Sequence, residues 1–121
     1  MTLEILAVDD SRTMRDMIRL ALIPAGFTVH TADDGIHGIE VLNELDQHAI
    51  ITDINMPRMD GIGFLHHVRQ HPRYKSTPVL LLATETRPEV RQAARDEGAQ
   101  GFINKPCTQA QLLAAVQRLA R

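Results

Sequence analysis

The 121-residue sequence predicts an α/β domain, a doubly wound parallel sheet of five strands with five helices. Three observations predict it. Short apolar runs alternate along the chain with stretches whose apolar residues recur at helical spacing. The first and fourth runs, LEILAV and PVLLL, are apolar almost throughout, as strands covered on both faces are. Two runs end on carboxylates, Asp9-Asp10 and Asp53, which places acids at the carboxyl edge where open α/β sheets hold their chemistry.

Each element has its own signals. Residues 3–8 form the first strand, stopped by Asp9-Asp10. Ser11 opens a helix with Met14, Met17, Ile18 and Ala21 on one side, and Pro24 and Gly26 end it. Residues 27–32 are the second strand, followed by the turn Asp33-Asp34-Gly35. Ile36, Ile39, Leu42 and Leu45 mark the inner face of the second helix. Residues 48–53 are the third strand. Pro57 cannot continue its ladder, and Asp60-Gly61 suits a turn and a helix start. The third helix spans 61–70 with Phe64, Leu65 and Val68 inward, and 71–76 is read as a polar loop. Residues 78–82 are the fourth strand. Pro88 suits a first helical turn, Val90, Ala93 and Ala94 give a lean apolar face, and Gly98 stops the helix. The fifth strand is 101–104. Thr108 and Gln111 form a capping box for the last helix, in which Leu112, Leu113, Val116, Leu119 and Ala120 lead to Arg121.

Residues 1–121 are therefore read as one domain, with no internal repeat or linker. A net charge of −2 gives no electrostatic case for nucleic acid. No apolar run approaches the roughly 20 residues of a membrane helix, and the first residues lack a signal-peptide pattern. One cysteine, Cys107, rules out an internal disulfide and fits a reducing compartment, so the expected location is the cytoplasm.

The chemistry-bearing residues sit at strand ends. If the first and third strands are neighbours, Asp9, Asp10 and Asp53 converge. Two unit charges about 4 Å apart repel by about 4 kcal/mol at an effective dielectric of 20. Protonation or a bound cation relieves this, and hard oxygen ligands favour Mg²⁺. The bland alternative is that Asp9 and Asp10 only cap the first helix. Lys105, followed by Pro106, lies at the same edge and could neutralise an anion held by Asp53.

Asp9-Asp10, Asp53 with Asn55-Met56-Pro57 and Met59-Asp60-Gly61, and Lys105-Pro106 together resemble the receiver domain of two-component response regulators, over the whole chain. Within that family the likeness is to stand-alone CheY-like chemotaxis regulators, through Asp10-Ser11-Arg12-Thr13-Met14 and Asn55-Met56-Pro57. The resemblance implies a flavodoxin-like strand order of 2-1-3-4-5. It implies Asp53 as phosphoryl acceptor, and Asp10, Asp9, Asp53 and the backbone carbonyl of Asn55 around magnesium. Lys105 would lie on a phosphoryl oxygen. A sensor histidine kinase would be the donor, with a target on the face of the fourth helix, fifth strand and fifth helix. That target would be the flagellar motor switch, with no nucleic-acid or membrane partner. Arg87, Arg91, Gln100 and Gln111 are expected to be exposed on that face.

The sequence departs from the family at the end of the fourth strand. Ala83 stands where a Ser or Thr hydroxyl is usual; period-two geometry turns Thr84 to the other face, and a local slip of the strand is the alternative that would bring the Thr84 hydroxyl into the site as a switch residue. The switch position, usually Tyr or another aromatic in the family, holds Phe102, which has no hydroxyl and is expected to sit inward even without phosphate. Two rival readings follow. One is a phosphate sink or a switch-impaired receiver, motivated by Ala83. The other is an aspartyl-phosphate phosphatase, weakened because Asn55 occupies the place of a general acid. His66, His67 and His71 read as a solvated helix face, as do Arg12, Arg15 and Arg19, and Cys107 reads as half-buried.

Overall fold

Strands and helices alternate along the chain in a computed structural model that describes residues 3–56, 59–84 and 87–119. The strands are β1 (Glu4–Val8), β2 (Thr28–Ala32), β3 (Ala49–Asp53), β4 (Val79–Ala83) and β5 (Gly101–Asn104). The helices are α1 (Arg12–Leu22), α2 (Gly35–Glu44), α3 (Gly61–Gln70), α4 (Pro88–Asp96) and α5 (Gln109–Leu119). The readings made on Pro57, Ala120 and Arg121 fall outside the described residues.

The strands pair in parallel in the order β2-β1-β3-β4-β5. Successive residues of a strand face opposite sides, which explains the continuous apolar runs. Leu6, Val8, Ile50, Leu81 and Ala83 face one core, with Leu42, Phe64, Leu65, Val68 and Ala94 of α2, α3 and α4. Ile5, Ala7, Ile51, Leu80 and Leu82 face the other, with Ile18, Leu22, Leu112 and Val116 of α1 and α5.

The helix termini follow local chemistry. Ser11 caps α1 by accepting from the Met14 amide, Asp34 caps α2 and Asp60 caps α3. Thr108 and Gln111 exchange the reciprocal bonds of a capping box at α5. Gly98 takes a φ of +95° after α4, a conformation that favours glycine.

Two elements differ from the sequence reading. On α2 the buried residues are Gly35, Gly38 and Leu42, with Ile39 packed against the same core as expected, while Leu45 lies past the helix end and is exposed. A Cβ on Gly38 would meet Phe64 and Val8 side-chain atoms at 3.0–3.1 Å, so the missing side chain lets α2 lie close to the sheet. The segment 71–76 holds a core residue. Tyr74 is fully buried, and its hydroxyl lies 2.8 Å from the Leu42 carbonyl and 3.0 Å from that of Leu45, to which it donates. Those carbonyls belong to the end of α2, where helical partners run out. Tyr74→Phe should therefore cost about 1–2 kcal/mol in denaturant unfolding, the price of a buried acceptor left unmet. An unchanged midpoint would show that water satisfies these carbonyls equally well.

Candidate functional site

The sheet order builds the site. β1 lies against β3 with Val8 opposite Thr52, so the residues that follow, Asp9 and Asp53, come out side by side. The Asp9 amide extends the ladder to the Ala32 carbonyl on β2. The Ile54 amide reaches the Leu82 carbonyl, and the Lys105 amide the Ala83 carbonyl. Backbone pairing thus fixes the roots of Asp9, Asp53 and Lys105 before any side chain interacts.

Carboxylate oxygens of Asp9, Asp10 and Asp53 lie within 4.8 Å of one another, with Asp9 and Asp53 buried and Asp10 exposed. The Lys105 ammonium lies 2.8 Å from Asp9 Oδ2 and 3.3 Å from Asp53 Oδ2. The lysine was expected to face an anion held at Asp53; here it bridges two acids and sits nearer to Asp9. The other Asp9 oxygen accepts from the Ser11 amide at 2.9 Å. The cap of α1 is Ser11, so Asp9 and Asp10 are not consumed as helix caps.

Burial raises the Asp53 carboxyl above its ordinary range, and the neighbouring Asp9 charge raises it further. The Lys105 charge and hydrogen bond, and a hydrogen bond from the Asn55 backbone, offset only part of this. Burial alone would lower Lys105. The hydrogen bond and charge of Asp9, with those of Asp53, outweigh it, so the ammonium is held above its ordinary value. Among the described residues, the site is thus three carboxylates closed by the Lys105 ammonium. Its all-oxygen donor set, with one acid open to solvent, fits a hard divalent cation such as Mg²⁺.

Ala83 is fully buried at the end of β4 and Thr84 is exposed. Phe102, opposite Leu81, packs against the cluster that contains Ala83 but stays half-buried. β5 is the sheet edge, so the outer side of the ring has no further strand. The Arg91 guanidinium covers it instead, 5.2 Å from the ring centroid, and also bonds to the Asn104 side chain. Arg91 is therefore engaged and half-buried, not an exposed residue of this face. Arg87, Gln100 and Gln111 are exposed, although the Gln100 side chain accepts from the Val79 amide and Arg69.

Two arginines read as solvated are not. Arg15 donates to the Asp9 carbonyl at 2.7 Å and Arg19 to the Thr31 hydroxyl at 2.7 Å. Helical spacing cannot reveal either bond, because both acceptors come from other elements. His66 meets Glu97 at 2.9 Å, and the His71 ring meets that of Tyr74 at a 57° tilt, with centroids 4.9 Å apart. Among the described residues, Asp9, Asp10 and Asp53 are the acids, histidines or cysteines that gather at metal-binding distance. Cys107 is half-buried as expected, and burial raises its thiol.

Residues 5–117 match the family described as the response regulator receiver domain. The chain is 36% identical over 116 residues to a probable chemotaxis protein CheY of Rhizobium etli, covering 95% of this chain and 90% of that one. It is 38% identical over 111 residues to chemotaxis protein CheY-3 of Vibrio cholerae, covering 91% and 85%. The solved structure of Vibrio cholerae chemotaxis protein CheY4 superposes with a TM-score of 0.95 at 40% identity, covering 98% of this chain and 99% of that one.

Proposed function

The chain belongs to the response regulator receiver family, and from that premise we propose that it is a phosphorylation-switched signalling module with Asp53 as its acceptor. The observation that carries this reading is the Lys105 ammonium, shared between the buried acids Asp9 and Asp53 at the mouth of the sheet. An Asp53 oxygen attacks the phosphorus of a phosphohistidine on a sensor kinase. The P–O bond forms as the P–N bond breaks, and the imidazole leaves with the electron pair. Later attack by water breaks the new P–O bond and releases inorganic phosphate. Asp10, Asp9, Asp53 and the Asn55 carbonyl would hold magnesium, which supplies charge neutralisation for the incoming phosphoryl group. Lys105 then moves part of its attraction from Asp53 to a phosphoryl oxygen. The target binds the α4-β5-α5 face, and the likeness to chemotaxis proteins points to the flagellar motor switch.

The test is to incubate the protein with a small acyl phosphate, with and without magnesium, and follow its mass. A gain of one phosphoryl group that depends on magnesium supports the reading; none with any small phosphodonor would overturn it. Binding to a motor-switch peptide, with and without donor, tests the target separately.

Ala83 favours a second reading, a receiver that accepts phosphate but switches weakly. Ala83, the last residue of β4, has no hydroxyl to offer the phosphoryl group, and Phe102 already packs against the cluster that holds Ala83. Ala83→Thr should speed phosphorylation by about tenfold or more, as a restored donor to the transferring group would. An unchanged rate in a stably folded variant would rule out a missing hydroxyl as the cause of weak switching.

A further inference from the structure

Arg12, Arg15 and Arg19, one turn apart along α1, line a cleft of about 280 Å³ with Thr31 from β2 and His37 from α2. Two carboxylates share this cleft. Asp16 meets Arg19 at 2.8 Å and Arg12 at 3.9 Å, and Asp33 meets His37 at 3.1 Å. The guanidiniums outnumber the carboxylates. Arg15 is half-buried, bonds to the Asp9 carbonyl and pairs with no carboxylate among the described residues. A charge partly withdrawn from water with only a neutral acceptor lacks its counter-ion. Each guanidinium carries five donors in a planar fork, and Arg15 commits one of them to Asp9.

We propose that this cleft binds a phosphate group, separately from the acceptor site at Asp53. A single fork satisfies a carboxylate, whereas guanidiniums on successive turns suit a dianion with three terminal oxygens. The cleft, at about 280 Å³, has room for a phosphate group. The group comes either from a soluble phosphate compound or from a phosphorylated side chain of a partner.

The experiment titrates the wild-type protein, without magnesium, with inorganic phosphate and separately with phosphoserine, by NMR. Saturable shifts are expected at the Thr31 and Asp33 amides and at Arg15 Nε. Arg15→Gln should weaken binding about tenfold or more, the value of a lost charge-assisted hydrogen bond. Arg15→Lys should fall between, because it keeps the charge and loses the fork. Equal affinity for both probes indicates a soluble ligand, and tighter phosphoserine binding a phosphorylated partner. Shifts that never saturate, or an affinity unchanged in folded Arg15→Gln, would show that the cleft holds only an ion-pair network. Arg19→Gln serves in its place should Arg15→Gln not fold.

Discussion

Asp53→Asn is expected to take up no phosphoryl group and yet to be more stable than the parent protein at neutral pH. The loss follows from chemistry, since an amide is not the nucleophile this transfer needs. The gain follows from electrostatics. Burial and the Asp9 charge raise the Asp53 carboxyl in the fold, so the unfolded chain gives up this proton first, near the ordinary value of about 3.9. Between that value and the raised folded one, the folded state holds more protons, so stability falls as pH rises through the window. Above the window the cost is constant, and below it the proton is bound in both states. Asparagine does not titrate, so the variant lacks this fall.

Lys105 limits the gain, because it loses its weaker partner and keeps Asp9. Its raised value means that its own contribution lasts through neutral pH and is lost only as pH rises through its folded value. The net is on the order of 1 kcal/mol, or about 3–6 °C in melting temperature for a chain of this size. Melting curves across the acid range check the sign. A variant less stable than the parent at pH 7 would mean that the Lys105 pair outweighs the burial of Asp53. Phosphoryl uptake by the variant would mean that Asp53 is not the acceptor.

The parts of the site legible in sequence are those fixed by strand ends. Asp9-Asp10 and Asp53 close their apolar runs, and parallel pairing of β1 with β3 then has only one way to place them. The strand order came with the family likeness and not from the runs themselves. What the sequence hid depends on partners from distant elements. Tyr74 stands among polar residues, and only the end of α2 explains its burial. Gly35 and Gly38 carry no hydrophobic signal, although they form the close-packed side of α2. Arg15 and Arg19 have the spacing of a solvated face, and their acceptors are the Asp9 carbonyl just past β1 and the Thr31 hydroxyl on β2. Phe102 was expected inward; at an edge strand under Arg91 it is half-buried.

Gly61→Ala should disable the site without touching any of its charged residues. The Gly61 amide donates to the Ile54 carbonyl at 2.7 Å, so α3 begins directly against the end of β3. A Cβ at Gly61 would overlap the Asp53 carbonyl oxygen and lie 2.8 Å from Ile54 Cα. These are backbone atoms, so no rotamer change relieves the clash, and the Asp53-Ile54 peptide or the start of α3 must move. Overpacking of this kind costs about 1–3 kcal/mol. The larger effect falls on the acceptor, because a displacement of about 1 Å at a reacting group can cost about a hundredfold in rate.

Gly63→Ala supplies the contrast, two residues along the same helix. Its Cβ would meet Asp60 Oδ1 at 3.2 Å and Met59 Cγ at 3.6 Å, side-chain atoms at or near ordinary contact, so the Asp60 cap, held at 2.7 Å by the Gly63 amide, need shift by only a few tenths of an ångström. That variant should match the parent in phosphorylation rate, and alanine in place of glycine favours the helix by up to about 1 kcal/mol. Rates of phosphorylation from a small acyl phosphate, measured beside unfolding curves, separate the two cases. If Gly61→Ala keeps the parent rate, the β3–α3 junction can shift without carrying Asp53 with it, and the acceptor is held by Lys105 and its neighbours instead of by the backbone beneath it.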